Sequence, residues 1–256
     1  LQLHKINLLQ KTSLIFLDAV GTLFGVKGSV GAIYAQLALD FGVTVRVDRL
    51  DRAFYQSFKS APRMAFPDIA PDEIPHYEKQ WWRSIAFDTF TQLESIDRFS
   101  DFDLFFTKLY DYFATASPWY IYPEVISTLE HWQGIGIELG IISNFDTRIY
   151  PVLSALGLDR FFRSITISTE VGAAKPDAAI FLHALERHRH HPKFNLDLVY
   201  HIGDSFDQDY QGSIDAGIRG IWLNRDHIPS TKFTAEPVNF ISHLDRSIVA
   251  ATSGRV

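Results

Sequence analysis

The chain has no cysteine and a single methionine in its 256 residues. Disulfides, thiolate metal centres and cysteine nucleophiles are thereby excluded, and the lack of thiols suits a reducing compartment. No apolar stretch is long enough for a membrane span. Excess positive charge is missing too: 24 Lys and Arg against 30 Asp and Glu give a net charge of −6, which disfavours nucleic acid as a partner. Internal repeats and low-complexity segments are absent. What remains, 46% hydrophobic and 21% charged, is the composition of an ordinary globular protein with room for one large domain or two moderate ones. Neither a membrane nor nucleic acid is an expected partner. The cytoplasm is the expected compartment, with an organellar matrix or stroma as the alternative, and the sequence leaves the oligomeric state open.

Five short apolar runs read as buried strands: "LIFLD" (14–18), "IELGIIS" (137–143), "SITIST" (164–169), "LVYHIGD" (198–204) and "GIWLN" (220–224). Between them lie helix-like segments at 123–133, 147–157, 177–188 and 209–217. This alternation predicts an α/β fold with a doubly wound parallel sheet covered on both faces. Residues 25–117 break the rhythm, with helical runs near 30–41, 47–60, 75–93 and 101–114, many aromatics and no convincing strand. They predict a helical domain inserted after the first strand, leaving 1–24 and 118–256 as the α/β core domain. The aromatics are expected to fill the insert's own core, with a pocket lining as the lesser alternative. The loop "SAPRMAFPDIAPDEIP" is expected to cross the insert's surface, and the tail after Asn224 is loosely patterned. "ERHRHH" (186–191) reads as a solvated helix end, where positive charge suits the dipole, rather than as a metal site.

In a parallel sheet, ligands bind outside the carboxyl ends of the strands. The polar residues there are Asp18, Ser143 with Asn144, Lys175 after the third strand, and Asp204 with Asp209. Each alone reads more readily as a turn former, helix cap or surface lysine, and Asp146 as a helix cap. Together they supply what phosphoryl transfer through an aspartyl-phosphate needs. Asp18 would attack phosphorus, and Mg²⁺ shared by Asp18 and Asp204 would offset the repulsion between carboxylate and phosphate. Ser143 and nearby N–H groups would hold phosphate oxygens while Lys175 balances charge. Asp209 would hold a metal-bound water or orient Lys175.

"FLDAVGTL", "IISNFD", "AAKPDAAIF" and "HIGDSFDQDYQG" resemble, in order and context, the four signature motifs of the haloacid dehalogenase-like (HAD) hydrolase superfamily. The insert looks like the helical cap of its subfamily IA. Within that subfamily the closest resemblance is to the branch named for a rhythmically expressed fly gene product, carried by "WWRSIAFDTF" and by "ISNFD" followed by "KPD". The resemblance implies a Rossmann-like core and a Mg²⁺ cofactor. It implies catalytic roles for Asp18, Ser143 and Lys175, and substrate binding by Ser143, Asn144 and Lys175. The implied metal ligands are Asp18, Asp204, Asp209 and the backbone carbonyl of Val20. Phosphatases of the superfamily carry Asp at the position of Val20, where it protonates the leaving group and then activates water. Valine does neither, and such help is typically worth about 10²–10⁴-fold in rate.

Three readings follow. The first is a Mg²⁺-dependent phosphatase acting on a small phosphorylated metabolite, weakened or helped by Lys27, Ser29, Arg63 or His76. The second is a weakly active or regulatory phosphate binder. The third is a metal-independent 2-haloacid dehalogenase, which "DAVGTL" favours and "GDSFDQD" disfavours. The phosphatase is the expected one. His201, on the strand leading to Asp204, is expected to be a satisfied core side chain.

Overall fold

The computed structural model describes residues 13–190, 194–233 and 240–244. In chain order the elements are β1 (Leu14–Leu17), β2 (Phe24–Val26), α1 (Val30–Leu39), α2 (Val47–Ser60), α3 (Ile74–Gln92), α4 (Phe102–Tyr112), β3 (Trp119–Ile121), α5 (Val125–Gly134), β4 (Glu138–Ser143), α6 (Ile149–Ala155), β5 (Ser164–Ile167), α7 (Ser168–Val171), α8 (Ala178–Glu186), β6 (Val199–Gly203), α9 (Gly212–Asp215), β7 (Arg219–Leu223) and β8 (Phe240–Ile241). A π-helical turn over Phe206–Gln211 leads into α9.

Among the described residues, six strands form one parallel sheet in the order β5-β4-β1-β6-β7-β8. The first strand therefore lies inside the sheet and is buried on both faces. Leu14 and Phe16 pack against Ile180, Phe181 and Ala184 of α8. Ile15 and Leu17 point the other way, into a core with Val125, Leu129 and Trp132 of α5 and Ile149 and Val152 of α6. A strand covered on both sides has no polar face, so its sequence reads as an unbroken apolar run. The register pairs Leu17 with Ile141 of β4 and with Ile202 of β6, so the residues that follow these strands emerge side by side. Alternation of strand and helix thus gives the expected Rossmann-like architecture.

The four helices α1 to α4 enclose a separate aromatic core. Phe90, Phe99 and Phe105 meet there with ring centroids 4.6–5.3 Å apart, at edge-to-face and tilted angles. Side-chain caps fix two of the helix starts: Ser29 accepts from the Ala32 amide at 3.1 Å and Asp101 from the Leu104 amide at 2.8 Å.

Several expectations need correction. The stretch 25–117 is not free of strand: β2 crosses its proposed first boundary and pairs antiparallel with β3, so the chain enters and leaves the helical part through a two-stranded ribbon. "FGV" is too short to show periodicity and is a strand only because a distant segment pairs with it. The run at 164–169 ends as strand at Ile167, the helix expected at 209–217 is preceded by the π turn, and β8 lies in the loosely patterned tail. The Pro-rich loop does more than cross the insert's surface. Met64 is buried, the Pro62 carbonyl accepts from Trp81 Nε1 at 2.9 Å, and Gly172 of the α/β part lies against the Pro67 backbone. In "ERHRHH", His188 turns inward between Ser164 and Glu138, whereas Glu186, Arg187, Arg189 and His190 are exposed; His191 lies outside the described residues.

Two polar links join α3 to the loop after β4. Glu78, fully buried, accepts from the Thr147 amide at 2.9 Å, from the Thr147 hydroxyl, and from Thr169 Oγ1 at 2.6 Å. Trp82 Nε1 donates to Asp146 at 2.6 Å, and the same carboxylate takes Arg148. Arg148 in turn lies 3.9 Å from the Tyr110 ring centroid and donates to the Tyr110 carbonyl at 3.2 Å. Burial pushes the Glu78 carboxyl above the usual carboxylate range despite its donors. Removing that carboxyl group leaves the Thr147 amide and hydroxyl without their acceptor, while Thr169 keeps the Phe145 carbonyl at 3.4 Å. Glu78→Ala is therefore expected to lower unfolding free energy by about 2–4 kcal/mol in urea titrations. Glu73→Ala, at an exposed helix start without a side-chain cap, is expected to change it by less than about 0.5 kcal/mol.

Candidate active site

The carboxyl ends of β1, β4 and β6 bring Asp18, Ser143 and Asp204 together, and the π turn after β6 returns Asp209 beneath them. Asp18 is almost fully buried and accepts on one oxygen, Oδ1, from Ser143 Oγ at 2.9 Å and from Lys175 Nζ at 2.7 Å. Among the described residues no donor is bonded to its other oxygen, Oδ2. Lys175 arrives from the loop after α7. Its ammonium donates to three acceptors: Asp18, the Ile142 carbonyl at 3.0 Å, and Asp209 Oδ1 at 2.5 Å. All three of its hydrogens are thereby used.

Two glycines make this convergence sterically possible. A Cβ at Gly21 would lie 2.6 Å from the Asp204 carboxyl, and one at Gly203 would lie 2.2 Å from the Asp209 carboxyl carbon. Gly21 also sits at φ +90°, which a side chain resists. Arg225 braces the turn that carries it. Its guanidinium donates to the Gly21 carbonyl at 3.1 Å, the Thr22 carbonyl at 2.8 Å and Glu124 at 2.5 Å, and lies 3.7 Å from the Tyr122 ring centroid.

The electrostatics follow from three carboxylates sharing one ammonium. Burial works against the Lys175 charge, but Asp18 and Asp209 outweigh it and hold the amine protonated well above its usual range. Burial likewise opposes ionisation of Asp209, yet Lys175 and His201 keep it a carboxylate at any ordinary pH. Asp18 is pushed up, by burial first and by Asp209 as well, with Lys175 and Ser143 opposing. Asp204 stays exposed at the crevice mouth, but the surrounding walls strip much of its water and Asp18 and Asp209 repel it. Its pKa is pushed up to about 7.

Such excess negative charge favours a bound cation. Carboxylate oxygens of Asp18, Asp204 and Asp209 lie within 4.8 Å of one another. An all-oxygen, carboxylate-rich donor set suits a hard divalent ion such as Mg²⁺ rather than a soft one. The residues present therefore fit the expected metal.

The sequence-predicted residues are found as follows. Asp18, Ser143, Lys175, Asp204 and Asp209 form one cluster, and Val20 lines the same crevice. Of the two roles considered for Asp209, contact with Lys175 is directly visible. Asn144 faces the crevice with its amide engaged: Oδ1 accepts from the Lys175 amide at 2.7 Å, and Nδ2 donates to the Lys175 carbonyl at 2.9 Å. It holds the Lys175 backbone from both sides. His201 is buried, with Nε2 bonded to Asp209 Oδ1 at 2.9 Å and Nδ1 unpartnered. Burial lowers its pKa, so it is a neutral donor to Asp209.

Of the suggested proton donors, only Arg63 lines the cavity, and it does so from an exposed position. Ser29 is occupied as a helix cap bonded to Asp51 at 2.8 Å, and Lys27 and His76 are exposed residues outside the cavity wall. Sequence reasoning missed Gln208 and Asp207 at the crevice edge and Arg225 behind the Gly21 turn. No spacing rule points to Arg225, because its partners lie on segments far away in the chain.

A sequence model described as haloacid dehalogenase-like hydrolase matches residues 12–217. The chain is 31% identical over 235 residues to the haloacid dehalogenase-like hydrolase domain-containing protein 3 of Danio rerio, covering 89% of this chain and 91% of that protein. It is 26% identical over 214 residues to the Rhythmically expressed gene 2 protein of Drosophila melanogaster, covering 82% of each. In fold it is similar to the HAD-hydrolase YfnB of Bacillus subtilis in a magnesium-bound crystal form, with a TM-score of 0.66, 18% identity, and coverage of 91% of this chain and 95% of that one. The chain belongs to the haloacid dehalogenase-like hydrolases, and it resembles their branch named for the rhythmically expressed fly protein.

Proposed function

We propose that this chain is a Mg²⁺-dependent phosphatase for a small phosphate monoester, with Asp18 as nucleophile. The observation that carries this reading is the cluster of three carboxylates around one fully committed lysine. A phosphate dianion would be repelled from it unless a divalent ion joined the site. When bound, Mg²⁺ supplies that neutralisation.

The chain's own groups divide the remaining work. Lys175 and Ser143 hold Asp18 through Oδ1, which leaves Oδ2 to form the bond to phosphorus as the bond to the leaving oxygen breaks. The backbone N–H groups following Ser143 are the donors available to the non-bridging oxygens, and the Ser143 hydroxyl would join them by giving up its bond to Asp18. Asn144 fixes the loop that delivers Lys175, and Asp209 holds the ammonium in place with His201 behind it. Water then cleaves the aspartyl-phosphate and restores the carboxylate. Val20 offers no proton at either step, so leaving groups that depart as stable anions are favoured. A cavity of about 940 Å³ above Asp18 suits a small ester rather than a polymer. Among the described residues no helix is long and apolar enough to cross a membrane, and a cysteine-free chain is in keeping with a cytoplasmic or organellar setting.

A dehalogenase would need to bring a haloacid carboxylate beside these same acids, and Asp204 has no use in an attack on carbon. The slow phosphate binder keeps one supporting observation, Val20, and differs from the phosphatase in rate alone.

In a phosphate-release assay with Mg²⁺, Asp18→Asn is expected to abolish turnover of every ester. Halide release from a 2-haloacid without metal, with no phosphate release from any ester, would overturn the assignment. Val20→Asp is expected to raise turnover of alkyl phosphates by about 10²-fold or more, and that of acyl phosphates much less, because only alkoxides need the proton. Mg²⁺ binding must displace the Asp204 proton below about pH 7. Affinity measured by calorimetry should fall as pH drops below that value, by up to roughly tenfold per unit, and level off above it.

A further inference from the structure

The cavity above Asp18 is far larger than a phosphate, and its walls change character with distance from the strand tips. Near Asp18 they are ionic. Beyond Val20 they are made by the helical cap, and the aromatic side chains there touch one another in sequence. Tyr34 meets Phe54 with ring centroids 5.5 Å apart, Phe54 stacks on Phe58 at 5.8 Å, and Phe58 stacks on Trp82 at 6.0 Å. All four line the cavity, with Val20 and Phe145 below them. Phe58 remains 45% exposed although it lies in this row, which leaves apolar ring surface unburied.

The wall is mainly apolar, and the Tyr34, Tyr55 and Tyr110 hydroxyls are among its polar groups. Arg148 reaches the cavity, but its guanidinium is held by Asp146 at 2.6 Å and by the Tyr110 carbonyl. Lys59 and Arg63 stand in exposed positions on the lining. A polyhydroxylated group placed against the Phe54 and Phe58 rings themselves would lose water without gaining hydrogen bonds there, which is costly. A flat aromatic group would gain stacking surface.

Resting on the phosphatase reading, the geometry points to a phosphate monoester of a phenol as the substrate class, with its ring bound between the Phe54–Phe58–Trp82 row and Val20. The chemistry at the nucleophile agrees. A phenolic oxygen has a pKa of about 10. An alkoxide's conjugate acid lies at roughly 16, near that of water. Asp18 Oδ2 forms its bond to phosphorus, the P–O(aryl) bond breaks, and the aryloxide leaves with the electron pair and takes its proton from solvent. Water then attacks the aspartyl-phosphate, releasing inorganic phosphate and returning a proton to solvent. No general acid is required at position 20 for this leaving group.

Binding and turnover test this separately. With Mg²⁺ present, calorimetry would compare 1-naphthylmethylphosphonate, cyclohexylmethylphosphonate and methylphosphonate. The naphthyl compound is expected to bind about 100-fold more tightly than methylphosphonate. Phe58→Ala, at an exposed ring, is expected to reduce that preference about tenfold. Equal affinities for naphthyl and methyl compounds would overturn the proposal, and so would a cyclohexyl compound that matches the naphthyl one. In turnover, the ratio of kcat/KM for 1-naphthyl phosphate to that for acetyl phosphate should also fall about tenfold in Phe58→Ala. Hydrolysis of acetyl phosphate without any preference for rings in binding would sink the aromatic assignment and leave the phosphatase standing. Ring-dependent binding with no hydrolysis of either ester would support the cavity assignment and overturn the phosphatase.

Discussion

The Lys175 ammonium is shared between Asp18 and Asp209, and the geometry of the site depends on it. The Asp18 carboxyl, buried at a strand tip, would on its own be driven towards the neutral acid. A second carboxylate close by makes that worse, and a third at the mouth worse again. Lys175 offsets part of this by donating to Asp18 and Asp209 at 2.7 and 2.5 Å, and its remaining hydrogen goes to the Ile142 carbonyl. A lysine so placed has no rotational freedom left. It fixes which Asp18 oxygen is occupied and which faces the crevice. The chain spends further contacts on keeping it there: Asn144 grips both its amide and its carbonyl, and His201 backs Asp209. One ammonium cannot balance three carboxylates, so the site is left poised for a cation with more charge.

The same economy of contacts joins the helical cap to the core. Glu78 and Asp146 are buried carboxyl groups from opposite sides of the seam: Glu78 takes its donors from Thr147 and Thr169, and Asp146 takes Trp82 from the cap and Arg148 from its own loop. Their partners, Thr147 and Arg148, belong to the segment immediately after Ser143 and Asn144. The loop that carries Ser143 and Asn144 is therefore also the loop on which the cap docks. A displacement of α3 would pull on Asp146 and Thr147, close to Ser143 and Asn144 in the chain, and would carry Trp82 of the cavity wall with it.

The features legible in the sequence are those in which chemistry and chain position coincide. Strands buried on both faces wrote themselves as apolar runs, and their polar ends marked Asp18, Ser143 and Asp204. Lys175 and Asp209 could be gathered to the same place once the sheet was taken as parallel. What stayed hidden was created by contact between distant segments. The ribbon of β2 and β3 is three residues on each side and exists only as a pair. His188 read as one of a basic run, yet it faces inward because Ser164 and Glu138, from two other strands, meet it there. Glu78 looked like one charge on a helix with many polar positions, and only the docking of that helix buries it. The division of the cap aromatics into a packed core around Phe90 and an exposed row through Phe58 likewise needed the helices' rotation about their axes, which spacing alone does not fix when nearly every face carries a ring.

Val20 belongs to both halves of this picture. Its side chain packs at the margin of the main core and also forms the apolar floor of the cavity. An aspartate there would place a fourth carboxylate beside Asp18, Asp204 and Asp209, in a site where the Lys175 ammonium is already fully used. It would also put a charge under the ring row, where a bound aromatic group would strip its water. Valine offers neither acid nor base, and it continues the apolar wall down to Asp18. On the proposed reading, such a site would give up help to poor leaving groups and gain surface for flat ones. The missing proton donor and the lower end of the apolar wall then come from one side chain, while the rings above it come from the cap.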